Sequence, residues 1–288
     1  MKNFILASRP KTLLAGVLPP LVAYAYYMSI SKESSVLYMW LAVFGALFIQ
    51  LATNFFNDVI DFEKGADKKR VGPTRVSAAG LVDIKTVKKW AITCVTLAAL
   101  CGLPLIYRGG WPFLVLGLVS LYLTYGYTGG KVSLAYRGLG ELFVFLFFGL
   151  FSVMGSFYLF SLQLNWGAFI LASVFGLLAT TLIMINNLRD RETDAEVGKR
   201  TMATRFSAKT YQMFIIVTIF SPYLLLHYFR DLKVIYCVFL GLIPALKLTQ
   251  ITLTKKGADL NDGLKFSGIH LIVLSALLSF TFIYESFL

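Results

Sequence analysis

The stretch LYMWLAVFGALFIQLATNFFNDVIDFEKGAD, residues 37–67, places an apolar run directly before a cluster of acidic residues. Residues 37–56 carry no charged side chain, and about twenty apolar residues are enough to cross a bilayer core roughly 30 Å thick. Asp58, Asp61, Glu63 and Asp67 follow at once. The stretch therefore predicts a transmembrane helix that carries several carboxylates to the membrane surface.

The composition extends this pattern to the whole chain. Of its 288 residues, 57% are hydrophobic and 15% are charged, and the mean hydropathy is +0.72. A soluble domain of this length carries more charge and lacks repeated apolar runs of about twenty residues. We predict an all-α polytopic membrane protein that forms a single domain over residues 1–288. Its nine predicted transmembrane helices are 12–30, 37–56, 89–107, 111–128, 139–161, 167–187, 212–229, 233–253 and 267–287.

The basic residues are distributed unevenly between alternate connections. With the N-terminus inside, all but four of the 27 Lys and Arg residues fall on the cytoplasmic side, as the positive-inside rule predicts. Topology therefore explains most of the net charge of +12. Because no nucleic-acid motif is present, no nucleic-acid partner is predicted. The four exceptions are Lys32, Arg108, Arg230 and Lys233.

Two matched stripes of an amide followed by two carboxylates stand at the ends of two apolar runs. Residues spaced i, i+4 and i+7 or i+8 share one face of a helix. Each stripe is followed by a glycine and then by Lys and Arg, which indicates an internal duplication with the stripes facing each other across a cavity. The stripes are Asn54, Asp58 and Asp61 in the first and Asn186, Asp190 and Asp194 in the second.

Stacked carboxylates repel one another and are costly beside hydrocarbon, so they need a compensating charge. One explanation is structural, in which the acidic helix ends pair with neighbouring Lys and Arg. The other is a divalent cation, because Mg²⁺ takes carboxylate, amide and phosphate oxygens. This second explanation predicts a substrate with a diphosphate head and an apolar tail. Ionisation of an allylic diphosphate gives a carbocation, which the abundant aromatic residues could protect from water.

These motifs resemble those of the UbiA-type intramembrane prenyltransferases. The first motif of that family is Asn-Asp-x-x-Asp-x-x-x-Asp, and the second is Asp-x-x-x-Asp. Because position 65 is a glycine, the third acid of the first motif is displaced to Asp67. The matching residues are Asn57, Asp58, Asp61, Asp190 and Asp194.

The resemblance implies nine transmembrane helices around a central lipid-accessible cavity in the inner cell membrane, with an active site that faces the cytoplasm and uses Mg²⁺. It implies that Asp58, Asp61, Asp190 and Asp194 are catalytic. The implied metal ligands are Asn54, Asp58, Asp61, Asp67, Asn187, Asp190 and Asp194. The candidates for binding the diphosphate or the acceptor are Lys131, Arg137, Lys199 and Arg200, each of which could instead be a topological charge.

Within this family the chain is most similar to the branch that transfers a polyprenyl group from polyprenyl diphosphate to 1,4-dihydroxy-2-naphthoate. The third partner that this resemblance implies is the membrane lipid around the enzyme. The resemblance rests on RPKT (Arg9–Thr12), GLGEL (Gly138–Leu142) and INNLRDRETDAEVGKRT (Ile185–Thr201), among other stretches. The alternatives are another aromatic acceptor such as 4-hydroxybenzoate, or a transporter of a phosphorylated substrate. A transporter is expected to carry ionisable residues near the bilayer midplane, whereas these apolar runs are nearly free of charge there.

Overall fold

The computed structural model describes residues 2–31, 33–65, 75–130 and 133–288, with the side chain of Lys11 left aside. Over these residues the regular structure is entirely helical. The α-helices are α1 (Lys2–Ser8), α2 (Pro10–Ile30), α3 (Val36–Glu63), α4 (Ile84–Gly109), α5 (Trp111–Gly126), α6 (Gly140–Val144), α7 (Gly155–Ser161), α8 (Trp166–Arg189), α9 (Arg191–Glu196), α10 (Met202–Arg205), α11 (Ala208–Leu226), α12 (Leu242–Thr254) and α13 (Asn261–Ser286). The 3₁₀ segments are Leu134–Tyr136, His227–Phe229, Ile235–Gly241 and Gly257–Leu260, and the π-helical segment Phe145–Met154 joins α6 to α7.

All nine predicted apolar segments lie on helices, so the predicted all-helical, multi-pass membrane fold is confirmed. Among the described residues, eight helical stretches are long and apolar enough to cross a membrane. The predicted count of nine is not reached because α5 has only 16 residues, about 24 Å at 1.5 Å per residue. The eight stretches are Thr12–Ile30, Val36–Glu63, Ile84–Gly109, Gly140–Ser161, Trp166–Arg189, Ala208–Phe229, Ile235–Thr254 and Gly257–Ser286.

Several helices begin at a residue whose side-chain oxygen accepts a backbone N–H of the first turn. Asp83 accepts from the Thr86 amide at 2.9 Å before α4, and Asn165 accepts from the Ala168 amide at 2.7 Å before α8. A side chain at this position satisfies one of the amides that a helix N-terminus leaves without an intrahelical partner. The starts of α4 and α8 are therefore fixed by local sequence.

α8 is the most enclosed of the spanning helices. It packs against α11, α13 and the π-helical segment, while α3 packs against α4, and α2 against α13. The larger buried apolar cluster joins α2, α7, α8, α11, α12, α13 and the first turns of α3, and a smaller one joins α1, the rest of α3, α4 and Val76. The cavity described below lies where these two groups of helices meet, since its lining comes from α2, α3, α4, α5, the π-helical segment and α8.

The contact between α8 and the π-helical segment requires glycine. A Cβ atom on Gly149 would lie 2.5 Å from the carbonyl oxygen of Ala172 and 2.5 Å from Cα of Gly176. Helices in a bilayer gain little from the hydrophobic effect between themselves and associate through close packing of small residues instead. This close approach holds the π-helical segment in place, and its residues Phe147 and Phe151 form part of the cavity wall.

Candidate active site

A cavity of about 940 Å³ lies inside the helical bundle. Most of its wall is apolar and comes from the middle of α3, α4, α5, α8 and the π-helical segment. Its polar lining residues come largely from the C-terminal ends of α3 and α8 and the segments that follow them. These polar residues include Arg9, Asn57, Asp61, Arg75, Tyr136, Asn186, Arg189 and Lys199. The cavity can therefore hold a molecule with one charged end and one apolar end.

The first motif contributes Asp61 to the cavity wall. Arg75 Nη1 lies 2.5 Å from Asp61 Oδ2, and the Tyr136 hydroxyl donates to Asp61 Oδ1 at 3.4 Å. Arg75 also donates to the backbone carbonyl of Asn57 at 2.8 Å, which fixes the guanidinium against α3. Asp61, a predicted site residue, thus forms an ion pair at the cavity wall with Arg75, which was not predicted to belong to the site.

Asp58 lies on the same helix but outside the cavity lining. Only 1% exposed, it accepts hydrogen bonds from the backbone amides of Val76 at 3.1 Å and Ser77 at 2.9 Å. Two amide bonds satisfy a buried carboxylate and fasten the returning chain to α3. The metal-ligand role predicted for Asp58 stays a prediction. The observed contacts give this carboxylate a structural role, which is to hold the backbone of Val76 and Ser77 against α3.

Two asparagines of α3 have separate roles. Asn57 lines the cavity and accepts a hydrogen bond from the Thr128 hydroxyl. Asn54, a predicted metal ligand, also lines the cavity, but its amide donates to the Ser8 carbonyl at 2.8 Å and to the Thr12 hydroxyl at 3.0 Å. Asn54 thus ties α3 to the junction of α1 and α2. Asn57 was missing from the predicted site residues, although it opens the first sequence motif.

The second motif lies where one helix ends and another begins. Asp190 stands between α8 and α9, so Asn186, Asp190 and Asp194 do not share one continuous helix as the spacing predicted. The Arg189 guanidinium binds both carboxylate oxygens of Asp190 at 2.6 Å each. The same guanidinium donates to the side-chain oxygens of Asn186 at 2.9 Å and Asn261 at 3.0 Å. Arg189, which the sequence reading left out of the site, therefore fixes the whole end of α8.

Asp194 is a buried carboxylate on the short helix α9. Lys199 Nζ lies 3.1 Å from its Oδ1, while its Oδ2 is buried without a hydrogen-bond partner among the described residues. Burial raises the pKa of Asp194, the Lys199 ammonium opposes that rise, and the nearby carboxylates of Asp190 and Asp61 add to it. A cation or a donor group from a bound ligand would stabilise this carboxylate.

Tyr136 connects the two motifs. Its ring lies beneath Lys64 Nζ at 4.2 Å and near Lys199 Nζ at 5.7 Å from the ring centroid, while its hydroxyl reaches Asp61. Burial and the Asp61 carboxylate raise the pKa of Tyr136, so the phenol is neutral at physiological pH. Desolvation lowers the pKa of Lys64, whose ammonium donates to the Thr128 carbonyl at 2.6 Å. Cations over an aromatic face are attracted to its π-electrons, which holds both lysines near the acidic residues.

The remaining predicted site residues are placed unequally. Lys199 lines the cavity, whereas Arg137 and Arg200 are exposed and lie outside its lining. Their backbones instead connect the two segments, since Arg200 N–H donates to the Tyr136 carbonyl at 3.1 Å and Arg205 donates to the Arg137 carbonyl at 2.6 Å. Asn187 lines the cavity and its amide donates to Glu141. Two further predicted site residues, Asp67 and Lys131, lie outside the described residues.

The oxygen donors suit a metal that is shared with a ligand better than one enclosed by protein. Within the described part of the chain, no group of three or more His, Cys, Asp and Glu side chains could hold a metal by itself. Asp61, Asn57 and Asn186 line the cavity. Asp194, whose Oδ2 has no partner among the described residues, lies outside the lining but near enough to Asp61 for the two carboxylates to interact. Mg²⁺ characteristically takes one or two protein carboxylates and completes its shell with water and substrate phosphates. The residues therefore fit Mg²⁺ bound together with a diphosphate.

An apolar cavity inside a membrane bundle, with the Asp61–Arg75 pair and Lys199 at its polar end, fits a substrate that has a charged head and an apolar tail. Residues 17–281 match the UbiA prenyltransferase family, and the chain belongs to that family. The family predicted from the two motifs is thus confirmed.

Two relatives with assigned activities show the similarity in sequence. The chain is 32% identical over 213 residues to the 1,4-dihydroxy-2-naphthoate octaprenyltransferase of Mycobacterium tuberculosis, covering 74% of this chain and 73% of the relative. It is 39% identical over 175 residues to the Escherichia coli enzyme of the same name, covering 57% of this chain and 56% of that one.

Solved structures show the similarity in fold. A UbiA homolog from Archaeoglobus fulgidus bound to GPP and Mg²⁺ matches with a TM-score of 0.69 at 16% identity, covering 98% of this chain and 99% of that one. The apo structure of a UbiA homolog from Aeropyrum pernix K1 matches with a TM-score of 0.70 at 11% identity, covering 94% and 97% of the two chains. At these identities the likeness supports the fold alone.

Proposed function

We propose that the enzyme transfers a polyprenyl group from an allylic polyprenyl diphosphate to 1,4-dihydroxy-2-naphthoate, with loss of the carboxylate as CO₂. The observation that carries the proposal is the cavity itself, in which Asp61, Arg75 and Lys199 line one end of a long apolar chamber and Asp194 contacts Lys199 from outside the lining. The acceptor is supported by the activity of the relatives from M. tuberculosis and E. coli. The two motifs would bind the diphosphate, and the apolar chamber would hold the prenyl chain.

Mg²⁺ held by Asp61 and Asp194, with the amide oxygens of Asn57 and Asn186, would supply Lewis-acid stabilisation of the charge that develops on the departing diphosphate. Lys199 and Arg75 add positive charge at the same end of the cavity. Asp58 and Asp190 act as positioning residues, because their carboxylates are engaged by backbone amides and by Arg189. Asp67 stays a candidate ligand on the strength of the family motif alone.

The chemistry requires no redox partner. The allylic C–O bond breaks and its electron pair leaves with diphosphate. The acceptor ring carbon that bears the carboxylate then supplies an electron pair to the allylic carbon. Loss of CO₂ returns the pair of the broken C–C bond to the ring and restores its aromaticity, which gives the dihydroxynaphthalene form of demethylmenaquinone. The apolar wall, including Phe147 and Phe151, would exclude water from the cation.

Charge asymmetry supports a location in the cell membrane with the polar end of the cavity facing the cytoplasm. Nearly all basic residues lie in the connections on that side under the topology described above. A site at this membrane surface is open to a water-soluble acceptor, to Mg²⁺ and to diphosphate release. The prenyl chain would enter from the lipid phase.

The test uses purified enzyme in detergent or liposomes with a long-chain prenyl diphosphate and Mg²⁺. With 1,4-dihydroxy-2-naphthoate we expect diphosphate, CO₂ and a prenylated naphthalenediol in equal amounts, and little product with 4-hydroxybenzoate. A clear preference for 4-hydroxybenzoate would overturn the acceptor assignment and leave prenyl transfer intact. An enzyme that releases no diphosphate with either acceptor would contradict prenyl transfer itself.

A further inference from the structure

Glu141 is a buried carboxylate in the cavity wall, separate from both acidic motifs. It lies in the first turn of α6 and is 6% exposed. Its Oε1 accepts hydrogen bonds from the Tyr211 hydroxyl at 2.7 Å and from the Asn187 amide at 2.9 Å. Tyr211 belongs to α11 and Asn187 to α8, so two neighbouring helices hold one carboxylate oxygen in a fixed direction.

The second oxygen, Oε2, is buried and has no hydrogen-bond partner among the described residues. Both donors are committed to Oε1, and Glu141 lines the cavity, so Oε2 is the oxygen left for a cavity ligand. A buried acceptor without a partner costs free energy, so a hydrogen-bond donor from a bound ligand would stabilise Oε2. No salt bridge to Glu141 is found within the described part of the chain.

Tyr127 and Asn187 are two further polar residues beside Glu141 in the cavity wall. A Cβ atom on Gly140 would lie 3.0 Å from the Tyr127 hydroxyl, so the glycine leaves room for that phenol beside Glu141. Tyr127 and Asn187 also line the cavity. The polar side chains of Tyr127, Glu141 and Asn187 thus lie together at the cavity wall. They border an otherwise apolar chamber that includes Phe143 and Phe147.

We propose that Glu141 Oε2 accepts a hydrogen bond from a ring hydroxyl of the aromatic acceptor and thereby orients the ring for attack. The inference rests on the proposed function and extends it to a residue that determines acceptor specificity. In 1,4-dihydroxy-2-naphthoate, the hydroxyl next to the carboxylate can donate to that carboxylate within the molecule. The 4-hydroxyl has no such internal acceptor and needs one from the protein. A carboxylate is a strong acceptor for it.

The experiment compares two acceptors, 1,4-dihydroxy-2-naphthoate and 1-hydroxy-2-naphthoate, which lacks the 4-hydroxyl. Each is tested with wild-type enzyme, with Glu141→Gln, and with Glu63→Gln as a matched carboxylate-to-amide control. Glu63 is half-exposed and pairs with Lys88 at the surface, outside the cavity. The ratio of kcat/KM values for the two acceptors is measured in each protein, and comparison of these ratios between variant and wild type cancels the different intrinsic reactivities of the acceptors.

We expect Glu141→Gln to lower kcat/KM for the dihydroxy acceptor by roughly ten- to a hundredfold, the range for a hydrogen bond to a charged group. The value for the monohydroxy acceptor should change by less than about threefold, and KM for the prenyl diphosphate should stay within about twofold. Glu63→Gln should keep the wild-type ratio. An equal loss of kcat/KM with both acceptors, or no loss with either, would show that Glu141 does not bind the 4-hydroxyl.

A binding measurement on wild-type enzyme keeps the proposal testable if Glu141→Gln does not fold. The monohydroxy acceptor should bind at least about tenfold more weakly than the dihydroxy acceptor, and equal affinities would overturn the assignment. Failure of the proposed function has a different signature, because wild-type enzyme would then form no prenylated naphthalenediol. Product formation by the wild type together with an unchanged acceptor ratio in Glu141→Gln would reject the role of Glu141 alone.

Discussion

Asp58 and Asp61 show how two carboxylates less than one helical turn apart acquire different tasks. Asp61 faces a buried guanidinium at the wall of the cavity, where charge can be shared with a ligand. Asp58 faces two backbone amides of the chain that returns over α3. Replacing Asp61 should therefore affect catalysis, because this carboxylate faces the cavity. Replacing Asp58 should affect stability, because this carboxylate binds backbone amides of the folded chain.

Replacing each aspartate by asparagine separates these tasks. Asp61→Asn should lower turnover by at least about a hundredfold, on the order of 3 kcal/mol of transition-state stabilisation, while its remaining oxygen still accepts from Arg75. Asp58→Asn places an NH₂ group against a backbone amide, so it should lower the free energy of unfolding by about 1–3 kcal/mol. Thermal unfolding and diphosphate release, measured on both variants, test this pattern.

The control for this pair is Asp231→Asn, whose carboxylate is almost fully exposed and should change neither quantity. Activity of Asp58→Asn, measured at low temperature where the variant is folded, should stay within about tenfold of wild type. Near-normal, EDTA-insensitive turnover by Asp61→Asn would contradict the assignment of this residue to the metal and diphosphate.

At the residue scale, the sequence predicts which segments carry the chemistry but not which side chain faces it. Asp58 and Asp61 lie about 60° apart around a helix, and both fit a stripe. Only the return of Arg75 to Ser77 over α3 decides which carboxylate reaches the cavity, and that contact is long-range. Glu141 appeared in the sequence only within the stretch GLGEL and without a role, because its partner Tyr211 lies far along the chain.

At the scale of elements, the apolar runs predict the helices well because hydropathy and helix formation in a bilayer are both local properties. The ends are less predictable. α3 continues to Glu63, beyond the apolar run that ends at residue 56, since its polar last turns still satisfy their backbone groups as a helix. The π-helical segment has no sequence signature of this kind, because it depends on the close contact of Gly149 with α8.

Gly149→Ala tests that contact. The added methyl group would meet backbone atoms of Ala172 and Gly176 at 2.5 Å, so the π-helical segment must move away from α8. We expect a loss of about 1–3 kcal/mol in the free energy of unfolding, the usual range for an overpacked interior. Because Phe147 and Phe151 of this segment line the cavity, turnover should fall as well. Thermal unfolding in detergent and prenyl transfer would be measured side by side.

Gly268→Ala is the matched control, since Gly268 lies within α13 and a Cβ atom there would meet nothing within 4 Å. It should leave stability unchanged or raise it by up to about 1 kcal/mol through better helix propensity. Equal effects of the two alanine substitutions would show that the glycine contact does not determine the position of the π-helical segment.

At the scale of the whole molecule, the two acidic motifs must lie on one side of the membrane. Asp61 lies in the last turn of α3, Asp194 and Lys199 follow α8, and Tyr136 contacts Asp61 and lies near Lys199. Between the ends of α3 and α8 the chain passes through α4, α5, the α6–α7 stretch and α8 itself. An even number of crossings is therefore needed, which requires the short helix α5 to cross as well. A span of about 24 Å can cross where the bilayer thins locally.

Cysteine labelling tests this inference. After replacement of Cys94, Cys101 and Cys237, single cysteines at Lys85→Cys, Arg200→Cys and Asp231→Cys would be treated with a membrane-impermeant reagent in intact cells and in opened membranes. If α5 crosses, positions 85 and 200 lie on the same side, and the charge asymmetry places that side inside, so both should react only after opening. Position 231 lies between α11 and α12, on the far side of one further span, so it should react in intact cells.

If α5 does not cross, positions 85 and 200 fall on opposite sides, and labelling of one of them alone in intact cells would contradict nine crossings. That outcome would also separate the two acidic motifs and remove the basis for a shared diphosphate site.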